Sequence, residues 1–220
     1  MILLKTEHEL WDTKSEYIEY DDSYPGNKGS LKDKMPDWGN GKSNRKFNEK
    51  LFALVPTRPL RILELGCGGG AFIQTCIEDG YTLSFGVDGN PYYRELKQHS
   101  WGKFPENFFV ADAGKDFTIL ENGSPMKFDV ITSWEFFEHI HPSAVEQLAK
   151  NIEQHSKVGT WLIFSASQRL HLPWHKTIKN KQQWIDVFEA KGFENTDTDF
   201  GGDVIRNEGD SVKCYLKKTK

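Results

Sequence analysis

From about residue 44 onward, hydrophobic positions fall into short runs separated by glycine and proline. Phe47, Leu51, Phe52 and Val55 recur at helical spacing and Pro56 stops the pattern, which predicts a helix over 44–55. Arg61-Ile62-Leu63-Glu64-Leu65 reads as a buried strand, followed by a glycine-rich turn and a helix over 71–78 closed by Gly80. Leu83–Asp88 is the next strand, and Asn90 with Pro91 opens a helix. Residues 107–111 and 128–133 read as further strands. The 142–155 segment turns Val145, Leu148, Ala149 and Ile152 to one side, as a helix does. Residues 160–165 form an unbroken apolar run, the pattern of a strand covered on both faces. Trp184, Ile185, Val187 and Phe188 anchor a helix over 180–191 that Gly192 ends. Two closing strands fall near 194–200 and 211–217. Alternating strands and helices predict an α/β fold.

The first 42 residues break this pattern. They are polar and turn-rich, with scattered aromatics at Trp11, Tyr17, Tyr20, Tyr24 and Trp38. Residues 6–20 predict one helix, with Leu10, Tyr17 and Ile18 on roughly one side. The chain therefore divides into an N-terminal segment, 1–42, and a body, 43–220.

The turn after the first body strand carries the most chemistry. Gly66, Gly68 and Gly70 let backbone approach a ligand where a Cβ would collide. Amides at the start of the following helix suit a polar or anionic group. An acid, Glu64, precedes the glycines; dinucleotide folds instead place theirs at the end of the next strand. Asp88 ends the next strand, Asp112 follows the one after, and 24 residues separate each successive pair from Glu64 onward. That spacing leaves room for one helix and one strand each time.

Together, the Glu-x-Gly-x-Gly-x-Gly turn, Asp88, Asp112 and the 128–133 strand resemble the class I S-adenosylmethionine-dependent methyltransferases over about residues 60–200. The resemblance implies a Rossmann-like, seven-stranded, mostly parallel sheet with helices on both faces and an antiparallel last strand. It implies S-adenosyl-L-methionine as methyl donor. Glu64, Gly66, Cys67, Gly68 and Gly70 would hold its methionine end, Asp88 the ribose hydroxyls and Asp112 the adenine amine. It also makes residues 1–42 a lid or cap over the substrate.

Methyl transfer from a sulfonium is an in-line displacement, so the protein mainly aligns the reactants in a dry pocket. A base is needed only where a hydroxyl acceptor must lose its proton. The segment after the fourth body strand supplies candidates in Glu135, Glu138 and His139, followed by His171 and His175. On a helical turn Glu135, Glu138 and His139 would share one face. Two carboxylates and imidazoles can bind a divalent cation. The pattern is similar to the metal site of small-RNA 2′-O-methyltransferases and quinone-biosynthesis O-methyltransferases. The favoured reading keeps His139 and His171 as catalytic without metal, and Glu135, Glu138, His139 and His175 as a metal site is the alternative. The expected activity is O-methylation of a small-molecule or saccharide hydroxyl. The alternatives are a metal-assisted RNA 2′-O-methyltransferase and a donor-binding scaffold without turnover.

Composition narrows the partners. A net charge of −4 and a pI near 6.0 disfavour a nucleic-acid partner. No apolar run reaches membrane-spanning length, and Met1–Lys5 is too short for a signal sequence. Three cysteines without metal spacing read as reduced thiols, so a cytoplasmic protein is expected, with Cys67 there for packing. Histidines 8, 99 and 155 read as helix-surface residues. Phe136, Phe137, Trp101 and Trp134 could stack on an adenine or acceptor ring, but most read as core, with Trp134, just before the acid cluster, as the exception.

Overall fold

The computed structural model describes residues 2–6, 45–97, 99–198, 200 and 210–220. The expected helix over 6–20 and nearly all of the lid therefore lie outside the described residues. Residues 2–6 form a strand.

The described chain runs β1 (Ile2–Thr6), α1 (Arg45–Leu54), β2 (Arg61–Leu65), α2 (Ala71–Glu78), β3 (Leu83–Asp88), α3 (Tyr92–Glu95) and α4 (His99–Lys103). It continues through β4 (Phe108–Val110), β5 (Phe117–Glu121), β6 (Ser124–Pro125) and β7 (Phe128–Trp134). It closes with α5 (Val145–Gln154), β8 (Ser156–Ser167), α6 (Lys181–Glu189), β9 (Phe193–Asn195) and β10 (Ser211–Lys218).

Seven strands form the main sheet in the order β4-β3-β2-β7-β8-β10-β9. Every pairing from β4 to β8 is parallel, and β10 is antiparallel to both of its neighbours. This matches the expected sheet. Strand order reverses between β2 and β7, so the crevice above their carboxyl ends is where such a sheet binds ligands. Leu65 pairs with Ser133 there, which sets the loop after β2 beside the segment after β7.

Both faces are covered. Val145, Leu148, Ala149 and Ile152 of α5 join Trp184, Ile185 and Phe188 of α6 in one buried cluster. Phe47 and Leu51 of α1, Phe72, Ile73 and Cys76 of α2 and Trp101 of α4 form the other. The apolar stripe of α6 starts cleanly because Asn180 and Gln183 make a reciprocal capping box.

Two features depart from the sequence reading. The helix expected after Asn90 breaks into the short α3 and α4. A three-stranded sheet, β1-β5-β6, was not foreseen. In it β1 runs antiparallel to β5 with Leu4 opposite Ile119, and Ile2 and Leu4 pack on the core. Residues 2–6 of the N-terminal segment thus belong structurally to the body.

Candidate active site

The turn after β2 is wound by glycines, with φ of +69° at Gly66, +51° at Gly68 and +85° at Gly70. Only glycine takes such angles without strain. Space is just as restrictive. A Cβ on Gly66 would lie 2.3 Å from the Phe136 ring, and one on Gly70 would lie 2.4 Å from the Phe108 ring. The amides of Gly66 and Cys67 donate to the Val87 carbonyl at 2.8 and 3.1 Å, which ties the turn to β3.

The three acids predicted for the donor sit at or just beyond the carboxyl ends of β2, β3 and β4. Glu64 is 4 % exposed, and its Oε2 has no hydrogen-bond partner. Burial, reinforced by Asp88, raises its pKa well above the ordinary carboxylate range. An unpaired buried carboxyl oxygen is costly unless a ligand completes it. Asp88 accepts the Gly68 N–H through Oδ2 at 2.8 Å and the Asn90 N–H through Oδ1 at 2.9 Å. Burial raises its pKa, and those two amides oppose the rise. Asp112 accepts the Gly114 N–H at 2.8 Å, with Lys115 Nζ 3.9 Å from its other oxygen. The Cys67 thiol is buried and pushed up, first by burial and then by Asp88, so it is a neutral packing group.

The chain leaving β7 carries further candidates. Sequence reasoning placed Glu135, Glu138 and His139 on one helical turn. Instead Glu135 takes a left-handed conformation, φ +48°, and only Phe137–His139 form a single 3₁₀ turn. Glu135 is held there by its N–H, which donates to the Ser165 carbonyl at 3.1 Å. Its Oε2 accepts the Ser211 hydroxyl at 2.8 Å.

Glu138, His139 and His175 do converge: each offers one ligand atom, and these atoms lie within 4.8 Å of one another. Glu138 is 1 % exposed with Oε2 unpartnered, and burial followed by the Glu135 charge pushes its pKa up to about 8. His139 lies with Nδ1 3.2 Å from the Trp174 carbonyl, and His175 with Nδ1 3.0 Å from the Arg169 carbonyl. Carbonyls only accept, so both Nδ1 atoms carry the hydrogen and both Nε2 atoms carry the lone pair. Burial, and then His175, lowers the His139 pKa to about 4; burial is also the first cause lowering His175. Two neutral imidazoles beside a buried carboxyl, each oriented by a backbone carbonyl, suit a divalent cation in donor chemistry and in support.

His171 is exposed and stands outside this cluster. Glu135 also stands outside it, close enough to affect the charge of Glu138 and His175. The turn after β2 and the segment after β7 meet at Phe136, whose ring packs on Gly66.

Comparison with known proteins agrees with this picture. The methyltransferase domain family matches residues 41–203. A ubiquinone biosynthesis O-methyltransferase of Paracidovorax citrulli is 25% identical over 164 residues, which are 74% of this chain and 58% of that protein. The chain therefore spans less than two thirds of that relative. A TehB-like SAM-dependent methyltransferase from Corynebacterium glutamicum superposes with a TM-score of 0.60 at 17% identity, covering 84% of this chain and 92% of its own. A S-adenosylmethionine-dependent methyltransferase from Clostridium acetobutylicum gives a TM-score of 0.60 at 11% identity, covering 82% and 94% respectively. These two likenesses show the shared fold. The chain belongs to the methyltransferase domain family. Among the described residues, no helix is long and apolar enough to cross a membrane.

Proposed function

We propose that this enzyme methylates a hydroxyl group of a small molecule, with a divalent cation held by Glu138, His139 and His175. The observation that carries the reading is the convergence of those three ligand atoms within 4.8 Å, beside the glycine turn. The buried Glu138 carboxyl, whose Oε1 lies 3.9 Å from His139 Nε2, supports it, because a cation would stabilise its charged form. When bound, such a cation would lower the pKa of the acceptor hydroxyl and orient it. This places metal in the foreground, where the sequence alone favoured a metal-free His139.

The chain's own residues do the rest. Glu64 receives the ammonium of the donor's methionine end, the turn at 66–70 lines it, Asp88 takes the ribose hydroxyls and Asp112 faces the adenine amine. His139 and His175, held neutral by burial, can each accept a proton at Nε2. Glu135, anchored by Ser211, adds negative potential next to them. The named activity of the Paracidovorax relative, an O-methyltransferase of ubiquinone biosynthesis, supports a hydroxyl acceptor on a small molecule.

A second reading, the 2′-hydroxyl of RNA, draws on the stretch 169–181. It holds Arg169, Lys176, Lys179 and Lys181 and no acid. The net charge of −4 over the whole chain opposes it.

The test is transfer of a labelled methyl group from the donor to three probes: a dihydroxybenzoate, a monosaccharide and a short RNA. We expect label on the dihydroxybenzoate oxygen, loss of transfer with a chelator, and recovery with added Mn²⁺. Undiminished transfer in chelator would remove the cation. Label on RNA alone would replace the small-molecule acceptor.

A further inference from the structure

We propose that Trp101 is a positioning residue that locks the donor turn from outside, a role independent of any contact with the acceptor. The inference rests on the reading that the donor occupies the turn at 66–70. Trp101 lies 33 residues beyond Gly68, yet its indole Nε1–H donates to the Gly68 carbonyl at 2.8 Å. On the other side of the same residue, the Gly68 N–H donates to Asp88 at 2.8 Å. Both backbone polar groups of the middle glycine are therefore gripped, one by a predicted ribose ligand and one by Trp101. The next carbonyl, Gly69, accepts the Ser100 N–H at 3.3 Å.

The tryptophan is itself held in place. It is 2 % exposed and stacks on Tyr93 (centroids 5.9 Å apart, planes 15° apart) and on Phe108 (5.0 Å, 25°). Arg94 donates to the Phe108 carbonyl at 3.0 Å and lies 6.0 Å from the Trp101 ring. The far ring of this column, Phe108, fills the space where a Gly70 side chain would be. One aromatic column thus touches the turn twice, by a hydrogen bond at Gly68 and by packing at Gly70.

Such a column has a physical purpose in a glycine turn. Glycine loses the most conformational freedom when it is fixed. A turn with three glycines at positive φ would lose much of its binding energy in ordering itself around a ligand. A turn already fixed by Asp88 and Trp101 avoids that loss, which is preorganisation. If Trp101 were only core filling, its ring would matter and its N–H would not.

The experiment separates the two. Calorimetric titration with S-adenosylhomocysteine is run on the wild type, Trp101→Phe, Asp88→Asn, the double variant and Tyr93→Leu, each alongside a thermal melt without ligand. Trp101→Phe keeps a stacking ring and loses the N–H. It is expected to raise the Kd several-fold, because the freed turn must be ordered on binding, and to lower the melting temperature modestly through the lost hydrogen bond. Tyr93→Leu weakens the stack and keeps the N–H, so it should lower the melting temperature and change the Kd less than Trp101→Phe does. The double variant should show a coupling, its loss differing from the sum of the single losses, because both groups hold one residue. Wild-type affinity in Trp101→Phe, with weakened binding in Asp88→Asn, would overturn the clamp alone. Wild-type affinity in both would overturn the donor reading beneath it. A Trp101→Phe chain that fails to fold would assign Trp101 to the core and overturn the proposal as well.

Discussion

Gly70 shows how one residue can serve both backbone and packing. Its φ of +85° and the Phe108 ring 2.4 Å from a would-be Cβ exclude any side chain. Gly123 has nearly the same φ, +84°, but open space around it. The pair separates the two costs. Gly123→Ala is expected to destabilise by about 1 kcal/mol, the cost of the left-handed backbone. Gly70→Ala should cost about 2–4 kcal/mol and weaken donor binding, because the aromatic column must also shift. Chemical denaturation and titration with S-adenosylhomocysteine check both; equal losses at the two sites would mean that Phe108 does not constrain the turn. Gly70 was legible in the sequence as a point where backbone approaches closely, because it sits in a glycine-rich turn after a strand. The trap at Glu135 was not. Nothing in Trp134-Glu135-Phe136 announces a left-handed residue, so the spacing of Glu135, Glu138 and His139 was read as helical when the chain turns sharply off β7 instead.

Between elements, His155 fastens β5 to the end of α5. Its Nδ1 lies 2.7 Å from the Asn151 carbonyl and its Nε2 accepts the Ile119 N–H at 2.9 Å. The ring also stacks on Phe117 at 5.2 Å, in full burial. Helical spacing suggested a surface position. The contradiction arises because β5 belongs to a small sheet whose strands are too short to read from periodicity, and its partner lies 36 residues away. The neutral imidazole fits, and protonation would remove the acceptor that Ile119 needs. Burial accordingly lowers the His155 pKa from 6.5 to about 4. Above pH 6.5 both folded and unfolded chains carry a neutral ring, and its contribution is complete. Between pH 6.5 and 4 the unfolded chain takes up a proton that the folded one refuses, so stability falls, by up to about 3 kcal/mol. His155→Gln should reduce this slope, leaving the share that the buried His139 contributes. Denaturant unfolding at pH 7.5 and pH 5 measures it. Identical pH dependence in wild type and variant would show that His155 is not the acid-sensitive link.

For the molecule as a whole, the alternation of strands and helices and the strand-turn-helix at 61–78 followed from sequence pattern, because each is local or repeats along the chain; the mostly parallel sheet covered on both faces followed from the family resemblance, and the strand order comes from the structure. The β1-β5-β6 sheet and the Trp101–Gly68 bond did not, since both join distant segments through contacts that no short window contains. His175 was legible as a partner of Glu138 and His139, and the structure brings the three together, while Glu135 of the same expected set stands outside. The reversal of strand order between β2 and β7 brings these pieces together. It puts the glycine turn after β2 beside the segment after β7, whose Phe136 ring packs on Gly66. The central claim is that donor and acceptor meet across that ring. A crystal structure of the protein grown with S-adenosylhomocysteine and Mn²⁺ tests it most directly. Ribose hydroxyls are expected on Asp88, and an anomalous manganese peak among Glu138, His139 and His175. The donor sulfur should face that peak. A nucleoside bound away from Asp88, or manganese absent from the cluster at full donor occupancy, would contradict it.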